Sequence, residues 1–305
     1  MSLVVVGSVA YDGIETPYGK VDRALGGACT YIALAASYFT QVRIVAVVGE
    51  DFRDEDLDFL AGRGIDLSGL ERAPGKTFYW SGVYSADMNE RATLCTELNV
   101  FAGFQPKLPE HYKTEPYLLL GNIQPSLQRD VRRQMRSLRL AGGDTMNYWI
   151  EGHRGELLET IRDWDFLLIN DSEARLLSGE RSLRRAAEAI LGMGPRVLVV
   201  KRGEYGAVLF YRGGHFMAPG YLLGEVLDPT GAGDSFAAGF VGRLAEEGAG
   251  ASGGCIDPAL LRNAVVYGCV MGSFCCESFG VDRFRTLSRA EIDGRFQEFR
   301  RFTGF

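Results

Sequence analysis

The stretch Asp228 to Phe240, DPTGAGDSFAAGF, decides how the rest of the chain reads. It follows a mostly apolar, glycine-containing run, Tyr221 to Leu227, and leads into a small-residue, partly aromatic helix pattern. The local structure this favours is a tight glycine turn feeding a helix N-terminus. Gly231 and Gly233 accept backbone angles closed to other residues and carry no side chain to hold an anion away. The first N–H groups of the following helix lack intrahelical acceptors, and the helix dipole favours negative charge beside them. Asp234 is the odd member. A carboxylate hinders simple phosphate binding there, yet suits a base that takes a hydroxyl proton beside a phosphoryl group. The plainer reading, an acidic residue that steadies the helix dipole, fits the same position.

Around this stretch, strand and helix patterns alternate. Leu3 to Val6, Val42 to Val48, Tyr117 to Leu120, Trp164 to Ile169 and Val197 to Val200 are apolar runs that read as buried strands. Phe52 to Gly62, Gln128 to Leu138 and Leu183 to Met193 read as helices, and Ala207 to Phe216 as a hairpin. Gly26-Gly27 opens ACTYIALAASYF, a helix with Ile32, Ala35 and Ala36 on one face. Asp257-Pro258 supplies an N-cap and a first-turn proline to a helix through Met271. Lys76 to Tyr84 and Ala92 to Phe101 break the rhythm. They are aromatic and β-branched, separated by polar Ser85 to Arg91, and fit an antiparallel hairpin. Inserted in a parallel-sheet chain, such a hairpin acts as a water-excluding lid or as a dimerisation sheet.

Ligands of open α/β sheets gather beyond the carboxyl ends of strands, so polar residues at strand exits are candidates. Asp12 can meet a hydroxylated ligand or cap its own turn. Asn170 and Glu173, three apart, make a capping box on local grounds. Lys201, beside Gly203 and Gly206, can reach a phosphate as a point charge or belong to an ordinary strand-turn-strand link.

Composition removes other classes. A content of 46% apolar and 24% charged residues is that of a soluble globule, and 305 residues can bury a full core. A net charge of −6 without a compensating Lys/Arg tract argues against nucleic-acid binding; Arg129 to Arg139 has helical spacing and reads as a solvated face. Six cysteines and three histidines show no metal-ligand spacing. Apolar runs are too short for a membrane span, and MSLVVVGSVAYDG lacks the basic start of a signal peptide, so a cytoplasmic protein is expected. No GxxxxGK[ST], HRD, DFG or GxGxxG signature is present.

The string DPTGAGDSFAAGF closely resembles the C-terminal signature of the ribokinase-like, or PfkB, family of carbohydrate and nucleoside kinases. INDSEARLLSG, with Asn170 and Glu173, is similar to that family's NxxE motif. The resemblance implies a three-layer α/β fold, a mostly parallel central sheet flanked by helices with a small antiparallel β lid. It also implies one domain over 1–305 with lid segments at about 12–24 and 74–103. Asp234 is then the catalytic base, with Gly231, Ala232 and Gly233 as the anion hole. Asp12, Gly26, Gly27 and, from the stretch DTMNYW (Asp144 to Trp149) at a strand exit, Asp144 and Asn147 fall on the substrate side. Tyr31 stands where the family carries an asparagine, and its ring can stack on a base or sugar face. Asn170, Glu173, Lys201, Gly203, Gly206, Thr230 and Asn263 fall on the ATP side, with Glu173 holding Mg²⁺ through water. K⁺ beside Val226 to Asp228 is a further implied ion. The implied activity is ATP-dependent phosphorylation of a sugar hydroxymethyl group; a nucleoside kinase is the alternative, and a non-catalytic nucleotide or metabolite sensor the third reading. The protein is expected to be a monomer or a lid-mediated homodimer.

Overall fold

Strands buried on both faces need apolar residues at every position, and these runs have them. The computed structural model describes residues 1–251 and 255–303. Its strands are β1 (Ser2–Val6), β2 (Ala10–Thr16), β3 (Gly19–Gly26), β4 (Gln41–Val48), β5 (Asp66–Arg72), β6 (Phe78–Tyr84) and β7 (Arg91–Glu97). They continue with β8 (Tyr117–Leu120), β9 (Leu140–Gly143), β10 (Phe166–Asn170), β11 (Val197–Lys201), β12 (Ala207–Tyr211) and β13 (Gly214–Ala218). The helices are α1 (Ala28–Ala36), α2 (Asp54–Gly62), α3 (Pro125–Gln134), α4 (Asn147–Gly152), α5 (Arg154–Ile161) and α6 (Asp171–Ser178). After them come α7 (Leu183–Leu191), α8 (Ala232–Glu246), α9 (Pro258–Cys275), α10 (Asp282–Thr286) and α11 (Arg289–Thr303).

Nine strands form one sheet in the order β13-β12-β11-β10-β9-β8-β1-β4-β5, parallel except at the β11-β12-β13 edge. Alternate residues feed two cores. Leu3, Val5, Ile44 and Leu168 face the layer of α1, α8, α9 and α11, whereas Val4, Val6, Val45 and Leu167 face α3, α5, α6 and α7. From β1 the chain moves outward through β4 and β5, then returns to β8 on the other side and runs away through β11. The reversal between β1 and β8 opens a crevice at the carboxyl ends of those strands, where an α/β sheet collects its ligand.

The remaining strands form a second sheet, β3-β2-β6-β7. Its two hairpins are antiparallel, and they join through a parallel pairing of β2 with β6. The polar segment before Gly26 is therefore a strand pair of this second sheet, extending two residues beyond the expected 12–24 at each end. The hairpin's second strand stops at Glu97, short of Phe101. Asn99 takes a left-handed φ of 49°, which a strand cannot continue through, and Phe101 turns in to stack between Phe78 and Phe104. Among the described residues, no helix is long and apolar enough to cross a membrane.

Candidate active site

Gly231 is the N-cap of α8, with a left-handed φ of 77° and no side-chain cap. A Cβ there would lie 2.3 Å from the Tyr31 ring, so the turn needs glycine for space as well as for angle. The Ala232 N–H donates to the Pro229 carbonyl at 3.1 Å and the Ser235 N–H to Gly231 at 2.8 Å. This corrects the expectation for Ala232, whose N–H already closes the turn. The N–H groups of Gly233 and Asp234 are left at the open helix end. Asp228, fully buried, braces the turn from behind: its carboxylate accepts the Thr230 and Gly280 N–H groups, each at 2.8 Å. Thr230 Oγ1 in turn lies 2.9 Å from Tyr84 Oη at the end of β6.

Strand exits bring the remaining groups to this helix end. Lys201, which ends β11, places Nζ 3.9 Å from Asp144 Oδ2 and against bare Gly233, 3.1 Å from where its Cβ would stand. Asn170 is its register partner on β10. Asn170 Oδ1 accepts the Glu173 N–H and Glu173 Oε2 the Asn170 N–H, both at 2.8 Å, so the capping box is complete and Oε1 of Glu173 lies outside it. Across the crevice, the Asp12 carboxylate occupies the space that a side chain on Gly26 would fill. Gly27 has a φ of 88° and its Cβ would meet the Ser8 carbonyl at 2.5 Å, which lets α1 start directly beneath Asp12.

The electrostatics follow from burial. Desolvation pushes the Asp234 carboxyl up, while the charges of Lys201 and Arg91 hold it down. Burial likewise raises Glu173, and raises Asp144 well above the usual carboxylate range, against Lys201 in both cases. Asp12 is pushed up to about 7, chiefly by burial, with the Gly27 backbone opposing and Asp228 and Asp234 adding to the rise. Several carboxyls held together at raised pKa are costly unless a cationic or proton-accepting task uses them.

Some expected residues stand elsewhere. Asn263 accepts from Arg243 Nε at 3.0 Å. Arg243 lies three turns along α8 from Gly231, so Asn263 belongs to the far end of the antiparallel α8–α9 pair; Gly272 and Cys275 of α9 meet the turn instead. Asn147 is exposed at the start of α4, and Asp144, the residue that leaves β9, enters the cluster in its place. Tyr31 is 1% exposed with its ring covered by Gly231, so it offers no open face for stacking. Gly206 packs against the Ala218 carbonyl and Pro219, and its bareness makes room for the chain itself; Gly203 lies beside Asn89 of the β6–β7 turn. Sequence reasoning passed over Arg91 and gave Asp144 only a place on the substrate side. The signal for Asp144 was its position as the first residue past a strand.

Among the described residues, no three Cys, His, Asp or Glu side chains converge as a metal cage. Glu173, with one oxygen outside its capping box and Asp144 and Lys201 nearby, fits an Mg²⁺ that keeps mostly water and phosphate ligands.

This geometry, an uncapped helix end facing buried carboxyls beside the second sheet, agrees with what comparison reveals. The model of the pfkB family of carbohydrate kinases matches residues 1–286. The chain belongs to that family. It is 30% identical over 246 residues to a cytidine kinase of Thermococcus kodakarensis, covering 79% of this chain and 87% of that one. Its fold superposes on a Burkholderia thailandensis nucleoside kinase in complex with inosine, with a TM-score of 0.75, 22% identity and coverage of 97% and 98%. Ribokinase of Thermotoga maritima gives a TM-score of 0.76 at 19% identity, covering 98% and 99%. Burial raises the pKa of the two carboxyls nearest the crevice, Asp12 and Asp234. In a kinase that uses Asp234 as its base, the acid limb of kcat/KM is therefore expected above the ordinary carboxylate value of about 4. An acid limb at or below the ordinary carboxylate value contradicts this.

Proposed function

We propose that this kinase transfers the γ-phosphoryl of Mg-ATP to the primary 5′-hydroxyl of a ribonucleoside, with cytidine the first acceptor to test. The observation that carries the reading is a pairing on the lid: Asp12 of β2 and Trp80 of β6 are register partners, so they share one face. A carboxylate able to bind ribose hydroxyls stands beside an aromatic plane able to take a base. The Trp80 ring lies back over Gly82, where a Cβ would come within 2.5 Å of it, with the Arg91 guanidinium 5.2 Å from its centroid. Similarity to the cytidine kinase supports a nucleoside ahead of a free sugar.

In this reading Asp12 orients the acceptor under the lid. Asp234 takes the hydroxyl proton as the acceptor oxygen bonds to phosphorus, and the N–H groups of Gly233 and Asp234 face the negative charge that develops. Lys201 neutralises phosphate oxygens as a point charge. Glu173 and Asn170 would hold Mg²⁺ through water; when bound, the ion supplies charge neutralisation on the nucleotide. The carbonyls from Val226 to Asp228 are where a K⁺ would sit.

The test is ADP release from Mg-ATP across pyrimidine and purine nucleosides, pentoses, hexoses and sugar acids, with Trp80→Leu run beside the wild type. Turnover is expected with nucleosides, and loss of the stacking plane should raise their KM roughly tenfold. Turnover confined to free sugars or sugar acids, unchanged in Trp80→Leu, overturns the nucleoside assignment and leaves the phosphotransfer chemistry standing.

A further inference from the structure

The carboxamide of Asn122 is held in one sense by a neighbour that the chemistry described so far does not use. Asn122 leaves β8 at the reversal of strand order, half-buried at the crevice. The residue before it is fixed. The Gly121 N–H donates to the Val6 carbonyl at 2.8 Å, and a Cβ on Gly121 would stand 3.4 Å from the Ala28 side chain and 3.6 Å from Gly7 Cα. Ala28 begins α1 directly after Gly26-Gly27, and Asp12 fills the space beside Gly26, so Asn122 and Asp12 flank the same helix start. Behind them Gln128, fully buried on α3, donates from Nε2 to the Gly121 carbonyl at 2.9 Å and to the Asp144 carbonyl at 3.1 Å. That amide ties the exits of β8 and β9 together.

The segment after β9 supplies the lock. Trp149 on α4 donates its indole Nε1–H to Asn122 Oδ1 at 2.8 Å. An indole N–H is a donor only, so the atom it meets is the amide oxygen and the nitrogen points the other way. The indole is itself packed edge-on against Tyr148 and His153, with ring centroids 4.8 and 5.2 Å away. Among the described residues, Nδ2 meets only the Met146 thioether at 3.0 Å, a weak acceptor that can take one of its two N–H groups. Asn122 therefore offers the crevice a donor, and its acceptor is already in use.

We propose that Asn122 reads the edge of the acceptor's base by donating to ring N3 of cytosine, and that Trp149 is the positioning residue that keeps it a donor. The inference rests on the nucleoside reading above. With Asp12 on the ribose hydroxyls and Trp80 on the face of the base, the edge of the base is left to the wall at the β8 exit. Cytosine presents a lone pair at N3 beside its O2 acceptor, whereas uracil carries an N3–H in the same place. A carboxamide free to turn serves either base by exchanging its oxygen and nitrogen. One pinned by an indole serves cytosine and meets uracil donor against donor. That clash leaves two N–H groups without partners in a desolvated site, a stronger ground for rejection than a difference in size.

The deciding measurement is kcat/KM for cytidine and for uridine with Mg-ATP, in the full-length wild type, Trp149→Phe and Asn122→Asp, each after a melting curve. The wild type is expected to favour cytidine by roughly 10²-fold or more. Trp149→Phe keeps a ring against Tyr148 and His153 but has no N–H, so the amide can turn. It should lower the cytidine-to-uridine ratio roughly tenfold or more through a gain with uridine, with KM for ATP unchanged. Asn122→Asp presents acceptors alone and should lower the ratio through a loss with cytidine; it carries the test if Trp149→Phe does not fold. Because the ratio is taken within each variant, a smaller folded fraction lowers both rates and leaves it unmoved. A wild type indifferent to the two bases, or a ratio unchanged in either folded variant, overturns the proposal and leaves the nucleoside reading intact. Turnover of no nucleoside at all defeats both.

Discussion

Asp234→Asn is expected to lower kcat by about 10²- to 10⁴-fold while Mg-ATP still binds, because the amide keeps the shape of the helix end and loses only the proton acceptor. The same substitution should stabilise the protein at neutral and alkaline pH. Burial raises the folded-state pKa of Asp234 above its unfolded value. Such a group contributes stability below the unfolded pKa of about 4 and loses it as pH rises through the folded value. The amide has no charge to desolvate, so the melting temperature of Asp234→Asn should exceed that of the wild type at pH 8, with the gap closing toward pH 4. Activity and stability thus move in opposite directions, which a merely structural aspartate would not produce. Kinetics together with melting curves at two pH values check both halves.

The second large effect is expected at Gly231. Alanine there must adopt a φ of 77°, a left-handed conformation that costs a residue with a Cβ about 1–2 kcal/mol. Its Cβ would also stand 2.3 Å from the ring of Tyr31, which is 1% exposed and has no space to retreat into. Relief requires the turn to move, and the turn aims the Gly233 and Asp234 N–H groups. Gly231→Ala should therefore lower both the melting temperature and kcat, the latter by roughly 10²-fold or more, as for loss of an oxyanion donor. Gly152→Ala, at the exposed end of α4 with nothing within 4 Å of its Cβ, is the control and should leave both unchanged. An active, fully stable Gly231→Ala enzyme would contradict the role given to this turn.

Much of this was legible in the residues, for physical reasons that differ from place to place. A strand buried on both faces has to be apolar throughout, so β1, β4, β8, β10 and β11 announce themselves. A left-handed N-cap against an aromatic ring has to be glycine, so the Gly231 turn is visible too. What sequence hides is direction and register. The helix containing Asn263 was found, but which of its ends meets the turn depends on the antiparallel packing of α8 on α9. The fragment DTMNYW was placed at a strand exit, yet only the end of β9 decides that Asp144 enters and Asn147 stays outside. Arg91 looks like a turn residue until the pairing of β6 with β7 sets it opposite Tyr84. Tyr31, read as a stacking surface, packs against the Gly231 turn, and Trp80 stands beside Asp12.

Phosphorus NMR and mass analysis of the products from Mg-ATP and cytidine, with wild type and Asp234→Asn side by side, test the central claim most directly. The expected result is ADP and a nucleoside monophosphate esterified at the primary hydroxyl with the wild type, and neither at a comparable rate with the variant. Equal turnover by the two proteins, or ATP consumed to free orthophosphate with no phosphorylated acceptor, would contradict it.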